Sequence, residues 1–414
     1  MTFYGIFFFY IIFWTAVVSP TPILKRGYKP KTNTIDLTIE KVTLAPDGFT
    51  RQLSTVNGQY PGPTIEVNKG DRILMKIRNK LGEPTAIHAH GMLQRGTPWY
   101  DGVPWMEIIV MLNDYHHTNA QPLLKEFLTP ESKGIEPGII RKIDISTKVI
   151  EADGSYTKRN KINRLPINVA QRYSVIVTAN QPVDNYIMRS EFQKKCMPDA
   201  AANLPIIKAI VHYEGAPNDA EPKDNPWSDS LAECVDLDHK TLQPLKEEKI
   251  PEATKKFEFE IEFHKNKTGI VKAFLNGSSY IPDINFPTLD KIFKGKSSYE
   301  RSANAYVFDK DGEVVDLYFI NYDEGDHPFH IHGYQFWVLG TGDGDKVNKD
   351  ELNTNNPIKR DTATIPGSGW MAIRFVSDNP GWHLESGLLM QLVTLPDVVL
   401  KMKPPKEWTE LCDL

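Results

Sequence analysis

The sequence predicts an all-β protein built from three β-rich units, and three observations carry that expectation. Apolar and polar residues alternate with period two in several separate runs, the signature of strands with one face in a core. No amphipathic helix of any length stands out between them. Thirty prolines and 27 glycines, many at turns such as Pro61-Gly62-Pro63 and Pro366-Gly367, supply the reversals such a chain needs.

The first strand is expected from Thr34 to Glu40, and a second from Arg72 to Arg78 after the turn Asn68-Lys69-Gly70-Asp71. Phe257 to Phe263 alternates Phe/Ile with Glu and reads as a strand with one wet face. Val314 to Ile320 and Phe336 to Leu339 are similar runs. Leu123 to Leu128 and Leu289 to Phe293 fit short connecting turns, while Ala216 to Trp227 and Lys246 to Lys256 read as linkers. The chain is read as three β-rich units at about 28–106, 107–245 and 246–405. The first is only about 80 residues, short for a sandwich of roughly 100.

At 414 residues with 40% hydrophobic content, the chain can bury two or three cores. Forty-eight basic against 53 acidic residues, with no Lys/Arg-rich run, argue against nucleic acid as a partner. Phe3 to Val18 is uncharged and apolar, so residues 1–19 are expected to be a secretory signal peptide, with an uncleaved signal anchor as the alternative. No other stretch could cross a bilayer. Two sequons, Asn266-Lys267-Thr268 and Asn276-Gly277-Ser278, suit secretion. Three cysteines, Cys196, Cys234 and Cys412, leave one thiol over.

Chemistry concentrates in two histidine clusters, His88-Ala89-His90-Gly91 and His327-Pro328-Phe329-His330-Ile331-His332-Gly333. Residues two apart on a strand point the same way, so His-x-His presents two imidazoles on one face. Imidazole suits copper and zinc. A single His-x-His is weak evidence, but three imidazoles in six residues are hard to explain as packing.

The stretch from His88 to Trp105 resembles the first copper motif of the multicopper oxidases, and His327 to Gly333 resembles the third. Val56 to Ile65, Val149 to Gly154 and Gln171 to Val175 are similar to other family segments, and the similarity runs from Thr34 to Pro396. The resemblance implies three cupredoxin-like, Greek-key β-sandwich domains with the first two truncated, copper as cofactor, and a small-molecule electron donor with dioxygen as partners in a monomer. By motif, His88 and His330 would hold a type 2 copper, and His90 and His332 would be type 3 ligands. His327 and His383 would be type 1 ligands, with Leu388 at the axial position. Asp101 matches a carboxylate that supplies protons, or is a plain turn residue. His116, His117, His212, His239 and His264 fall outside the motifs and are expected to be surface or ordinary polar residues.

The family's second motif is missing after Trp105-Met106, and Asn379-Pro380-Gly381 runs directly into Trp382-His383 where a His-Cys-His segment belongs. A third gap follows Ile135-Glu136-Pro137. Cys196 and Cys234 resemble the family's disulfide pair, and the partner of Cys412 would lie in the first gap. The type 1 site therefore lacks its Cys, and four type 3 histidines are absent. The expected chain is a copper oxidoreductase by descent whose own turnover is lost. A secreted copper-binding protein and a ferroxidase-type enzyme, with Glu324 and Asp326 beside His327, are the alternatives.

Overall fold

The computed structural model describes residues 29–93, 141–192, 206–224 and 236–403, apart from isolated positions. The signal segment, Asp101, the three cysteines, His116, His117 and the two earlier gaps lie outside the described residues.

Strand β1 (Thr32–Leu44) pairs antiparallel with β2 (Arg51–Val56) and parallel with β3 (Arg72–Asn79), making a three-stranded sheet. Its strands bury Leu37, Ile39, Leu53 and Ile73. Leu74 and Ile77 are left 43% and 47% exposed.

A second sheet runs β5-β4-β7-β8, with β6 also against β4. Its strands are β4 (Arg141–Ala152), β5 (Ser155–Ile167), β6 (Tyr173–Val177), β7 (Asn185–Phe192) and β8 (Ile207–His212). β4 keeps three partners by shifting register between Asp144 and Thr147 and between Val149 and Glu151.

The third unit begins with β9 (Lys255–Lys265) and β10 (Val271–Leu275), followed by the six-residue helix α1 (Thr288–Phe293). Then come β11 (Ala305–Phe308), β12 (Glu313–Asn321), β13 (His327–Ile331), β14 (Phe336–Asp343) and β15 (Lys359–Arg360). β16 (Thr362–Ile365), β17 (Gly369–Ser377), β18 (Gly381–Ser386), β19 (Gln391–Thr394) and the turn of helix α2 (Pro396–Val399) complete it. Two sheets form, β10-β9-β12-β17-β14-β15 and β11-β19-β18-β13-β16. Between them pack Phe259, Phe319, Phe329, Phe336, Phe375 and Ile331, each 1% exposed or less. The alternation in β9 points Phe259 and Ile261 into this core and leaves Glu258 and Glu260 in water.

The second and third units share one core, because Val149, Ala152 and Leu165 join the same cluster. Residues Lys246 to Lys256 are expected to be a linker, but they do not run free. They are instead pinned: Glu248 donates its N–H to Asn356 Oδ1 (3.0 Å), Thr254 donates to Val314 (2.9 Å), and Arg374 donates to the Pro251 carbonyl (2.8 Å). Their backbone groups need partners once Ile250 is buried.

Candidate metal centre

β13 enters the sheet at His327 and leaves it at Ile331, so the third-unit motif spans a strand and its exit turn. Gly333 makes that turn with φ of +71°, and a Cβ there would meet the His383 ring at 2.6 Å. In the first unit the other His-x-His pair lies in the irregular segment after β3. Gly91, with φ of +79°, lets that segment close on Arg172, whose guanidinium a Cβ would meet at 2.7 Å.

Four histidines from the two units meet. The His88 and His332 rings stack at 3.8 Å between centroids, and His90 stacks on His330 at 3.9 Å. His330 and His332 are 5.1 Å apart, and His88 and His330 are 5.6 Å apart. The ligand atoms of His88, His330 and His332 lie within 4.8 Å of one another, as do those of His90, His330 and Asp361.

His330 is the anchor, only 2% exposed. Its Nδ1 donates to the Asp361 carbonyl at 2.9 Å, with Thr362 Oγ1 at 3.1 Å. That bond puts the proton on Nδ1 and leaves Nε2 with a lone pair. Nε2 is buried with no hydrogen-bond partner. A buried acceptor facing a ring of imidazoles is the donor set expected of a copper or zinc site. The residues present fit such an ion.

The electrostatics agree. Burial, then the neighbouring His330, pulls the His88 pKa below its ordinary value and that of His90 down to about 4. Burial, then the imidazoles of His88, His330, His90 and His383, bring His332 to about 3. The rings are therefore neutral and able to ligate near pH 7.

Asp361 steers this cluster. It takes both guanidinium nitrogens of Arg172 at 2.6 Å and sits 3.4 Å from His330 Nδ1 and 3.8 Å from His90 Nε2. Arg172 and His330 hold its carboxyl below the usual range against the opposing effect of burial. The same network continues across the second and third units through Arg172 to Asp153 (3.4 Å) and Arg360 to Asp153 (2.7 Å). Sequence reading missed Asp361, because nothing local marks it apart from other aspartates. Only the fold brings residues 172 and 361 together.

The expected type 1 pair is not brought together. His327 Nε2 sits 3.0 Å from Asp323 Oδ2, with its ring stacked on Phe263 at 4.6 Å. His383 is buried beside Tyr334 (4.7 Å), with Nε2 3.0 Å from the Asn379 carbonyl, and burial lowers its pKa to about 4. It lies at the Gly333 end of β13, beyond the opposite end of the strand from His327. The cause is register. β18 is paired on both sides, to β19 (His383↔Leu392) and to β13 (His330↔Ser386). With the segment after Gly381 short, Trp382 to Ser386 must fill the central strand themselves, and the ladder carries His383 to Gly333. Leu388 is buried in the third-unit core.

The remaining histidines divide. His264 is an exposed residue stacked on Phe274, and His212 Nδ1 sits 2.6 Å from Asn185 Oδ1, ordinary polar roles as expected. His239 corrects the expectation. Its side chain is 8% exposed, and neither ring nitrogen has a hydrogen-bond partner.

Three family models described as multicopper oxidase match residues 38–117, 144–216 and 279–398, together more than half of the chain. The iron transport multicopper oxidase fio1 of Schizosaccharomyces pombe is 26% identical over 490 residues, covering 89% of this chain and 77% of its own length. Laccase-1 of Cryptococcus neoformans var. grubii is 24% identical over 549 residues, covering 96% and 86%. Both aligned spans exceed the 414 residues of this chain, so the relatives carry internal residues with no counterpart here. In fold the chain resembles the crystal structure of Fet3p, a multicopper oxidase that functions in iron import. The TM-score is 0.78 at 22% identity, over 92% of this chain and 94% of that one. It also resembles the laccase of Botrytis aclada, with a TM-score of 0.77 at 21% identity, over 93% and 91%.

Proposed function

The chain belongs to the multicopper oxidase family, and on that premise we propose that it is a secreted copper-binding member that keeps one histidine centre and does not complete oxidase turnover. The complete reaction would couple one-electron oxidation of phenolic donors to reduction of dioxygen to water. The observation that carries the reading is the buried, unpartnered Nε2 of His330 facing His88, His90 and His332.

Copper bound there would supply one-electron chemistry and affinity for dioxygen. Asp361 and Thr362 hold the His330 tautomer and ring plane, while Arg172 holds Asp361. Burial keeps the imidazoles unprotonated for binding. By motif position Asp101 would deliver protons to this centre.

An electron entry site finds no such support. Fast one-electron transfer in this family's chemistry rests on a Cys thiolate with two histidines. Here Trp382 to Leu388 carry no Cys, and His327 and His383 lie towards opposite ends of β13. The clean junction at Asn379-Pro380-Gly381-Trp382-His383, flanked by undamaged motifs, favours an excised segment over gradual decay. Iron as donor is less supported than a phenol. Asp323 is engaged by His327, and Asp326 accepts the Gly367 N–H at 2.8 Å.

The test is to express the whole chain, load it with copper, and record copper content, the electron paramagnetic resonance spectrum, blue absorption and oxygen uptake with a phenolic dye. Bound copper that is lost on His330→Ala, without blue colour or oxygen uptake above the blank, is the expected result. A blue band with steady oxygen uptake would overturn the loss of turnover, and absence of copper would overturn the centre. Peptide mapping of the native secreted protein adds the other half. A peptide spanning Asn379 to His383 means the short chain exists, whereas an inserted His-Cys-His segment means the organism makes a working oxidase.

A further inference from the structure

The two histidine pairs of the centre belong to different units, so their spacing has to be fixed from outside the imidazoles. Each motif runs on to a backbone carbonyl, Leu93 three residues after His90 and Gly333 one residue after His332. One side chain meets both. Asn379 Nδ2 donates to the Leu93 oxygen at 2.6 Å and to the Gly333 oxygen at 2.8 Å. Among the described residues, the bond to Leu93 is the hydrogen bond that joins residues 88–93 to the third unit. His90 Nε2 stands 3.8 Å from Asp361, beyond hydrogen-bond reach.

We propose that Asn379 is a positioning residue of the histidine centre, a clamp that sets the distance between the His88–His90 pair and the His330–His332 pair. Copper gives that spacing its purpose, and to this extent the role rests on the proposed centre. The clamp itself acts in the metal-free protein.

Its anchor is secured without the side chain. Asn379 is 1% exposed, and its N–H donates to Tyr334 Oη at 3.1 Å. Its carbonyl accepts from Tyr334 Oη at 2.9 Å and from Thr394 Oγ1, and Pro380 fixes the backbone that follows. The main chain therefore closes the β17–β18 connection by itself. A side chain serving only that turn would bond locally, whereas the Asn379 amide reaches partners 286 and 46 residues away.

The chemistry selects an amide. Two carbonyls on one side call for two N–H donors on one atom, which Nδ2 supplies; an ionised Asp has none, and Ser or Thr has one. Gly333 leaves room for it, since a Cβ there would stand 3.3 Å from Nδ2. The arrangement leaves Asn379 Oδ1 buried with no hydrogen-bond partner. That unmet end costs stability, and a site whose geometry the other end fixes accounts for it.

The test uses the full chain, first without copper, with ¹⁵N-labelled histidine. The His88 and His90 rings stack on His332 and His330 at 3.8 and 3.9 Å, so their ring protons carry ring-current shifts. Asn379→Ala should remove most of those shifts, and Asn379→Ser, which keeps one donor, a smaller part. The His212 and His264 resonances and the slow amide exchange of β13 and β17 should stay as in the wild type. Unchanged His88 and His90 rings in both variants would overturn the clamp. Lost protection of β13 and β17 in both would also overturn it, because the side chain would then hold the third unit and not the seam. If Asn379→Ala alone fails to fold, Asn379→Ser decides. Copper affinity follows, by chelator competition. Asn379→Ala should weaken binding at least tenfold in the wild-type background, and less than twofold where His88→Ala and His90→Ala are already present. Equal losses in the two backgrounds would remove the positioning role. A wild-type chain that binds no copper would end the copper reading and leave the ring shifts to decide the clamp.

Discussion

The first and third units each supply two histidines to the centre, but they hold them differently. In the third unit His330 sits on a strand paired on both sides, its Nδ1 bonded to Asp361, inside a two-sheet sandwich. In the first unit His88 and His90 hang from an irregular segment beside a single three-stranded sheet, and His88 is exposed. That segment is tied down from outside. Asn379 Nδ2 donates to the Leu93 carbonyl at 2.6 Å, and Arg172 closes over Gly91. One half of the site is built in place, and the other is docked onto it. Pre-organisation should therefore be concentrated in the third unit.

The comparison breaks most visibly in the core. Trp370→Ala, in the third-unit core at 1% exposure, should cost about 3–5 kcal/mol in a denaturant titration. If it costs no more than a surface change, the third unit is not the rigid partner. Next comes copper affinity, measured by chelator competition. His330→Ala should weaken binding by at least about 100-fold, near 2.8 kcal/mol at about 1.4 kcal/mol per tenfold. His88→Ala should cost closer to tenfold, and His327→Ala little, since His327 lies with Asp323 and Phe263 instead. Equal losses from all three would erase the distinction.

A smaller effect is expected at the seam itself. Gly91→Ala places a Cβ at positive φ against Arg172, a strain of about 1–3 kcal/mol. It should weaken copper binding while leaving the third-unit melting transition in place.

Acid offers another handle on the seam. The folded pKa values of His90 and His332 lie at about 4 and about 3, below the ordinary 6.5, so the unfolded chain binds more protons between those limits. Their contribution to copper-free stability is complete above about pH 6.5 and falls as the pH is lowered towards 4. Glu385 acts in reverse. Burial raises its pKa from 4.5 to about 8, so its contribution falls as the pH rises through that range. The histidine part is therefore the difference between the wild type and a His90→Gln, His332→Gln double variant. That difference should shrink from pH 7 to pH 4, and a difference constant with pH would remove the desolvated histidines from the account. Smallest of all, Leu74→Ser on the exposed face of the first sheet should change stability by no more than about 0.5 kcal/mol.

The strands were legible because period-two burial is local. Thr34 to Glu40, Arg72 to Arg78, Phe257 to Phe263 and Val314 to Ile320 all fall within observed strands. The short apolar run Leu289 to Phe293, expected as a connecting turn, is most of a helix, since so few residues carry no readable period. The grouping of His88, His90, His330 and His332 came from the resemblance of their two motifs to the family's copper motifs, and not from the His-x-His pattern alone. What the linkers do was not legible, because Pro/Lys/Glu composition says nothing about which carbonyl a backbone N–H will meet.

Local pattern and chemistry therefore establish the all-β class, the family and the four histidines that could share an ion, since each is written within a handful of residues. Tertiary structure decided the rest. It recruited Asp361 and Arg172, 189 residues apart, to orient the cluster, and it buried His239 without a partner. It also drew His383 away from His327. A central strand must stay hydrogen-bonded on both edges, and satisfying that ladder outweighs the motif position a histidine holds in the sequence.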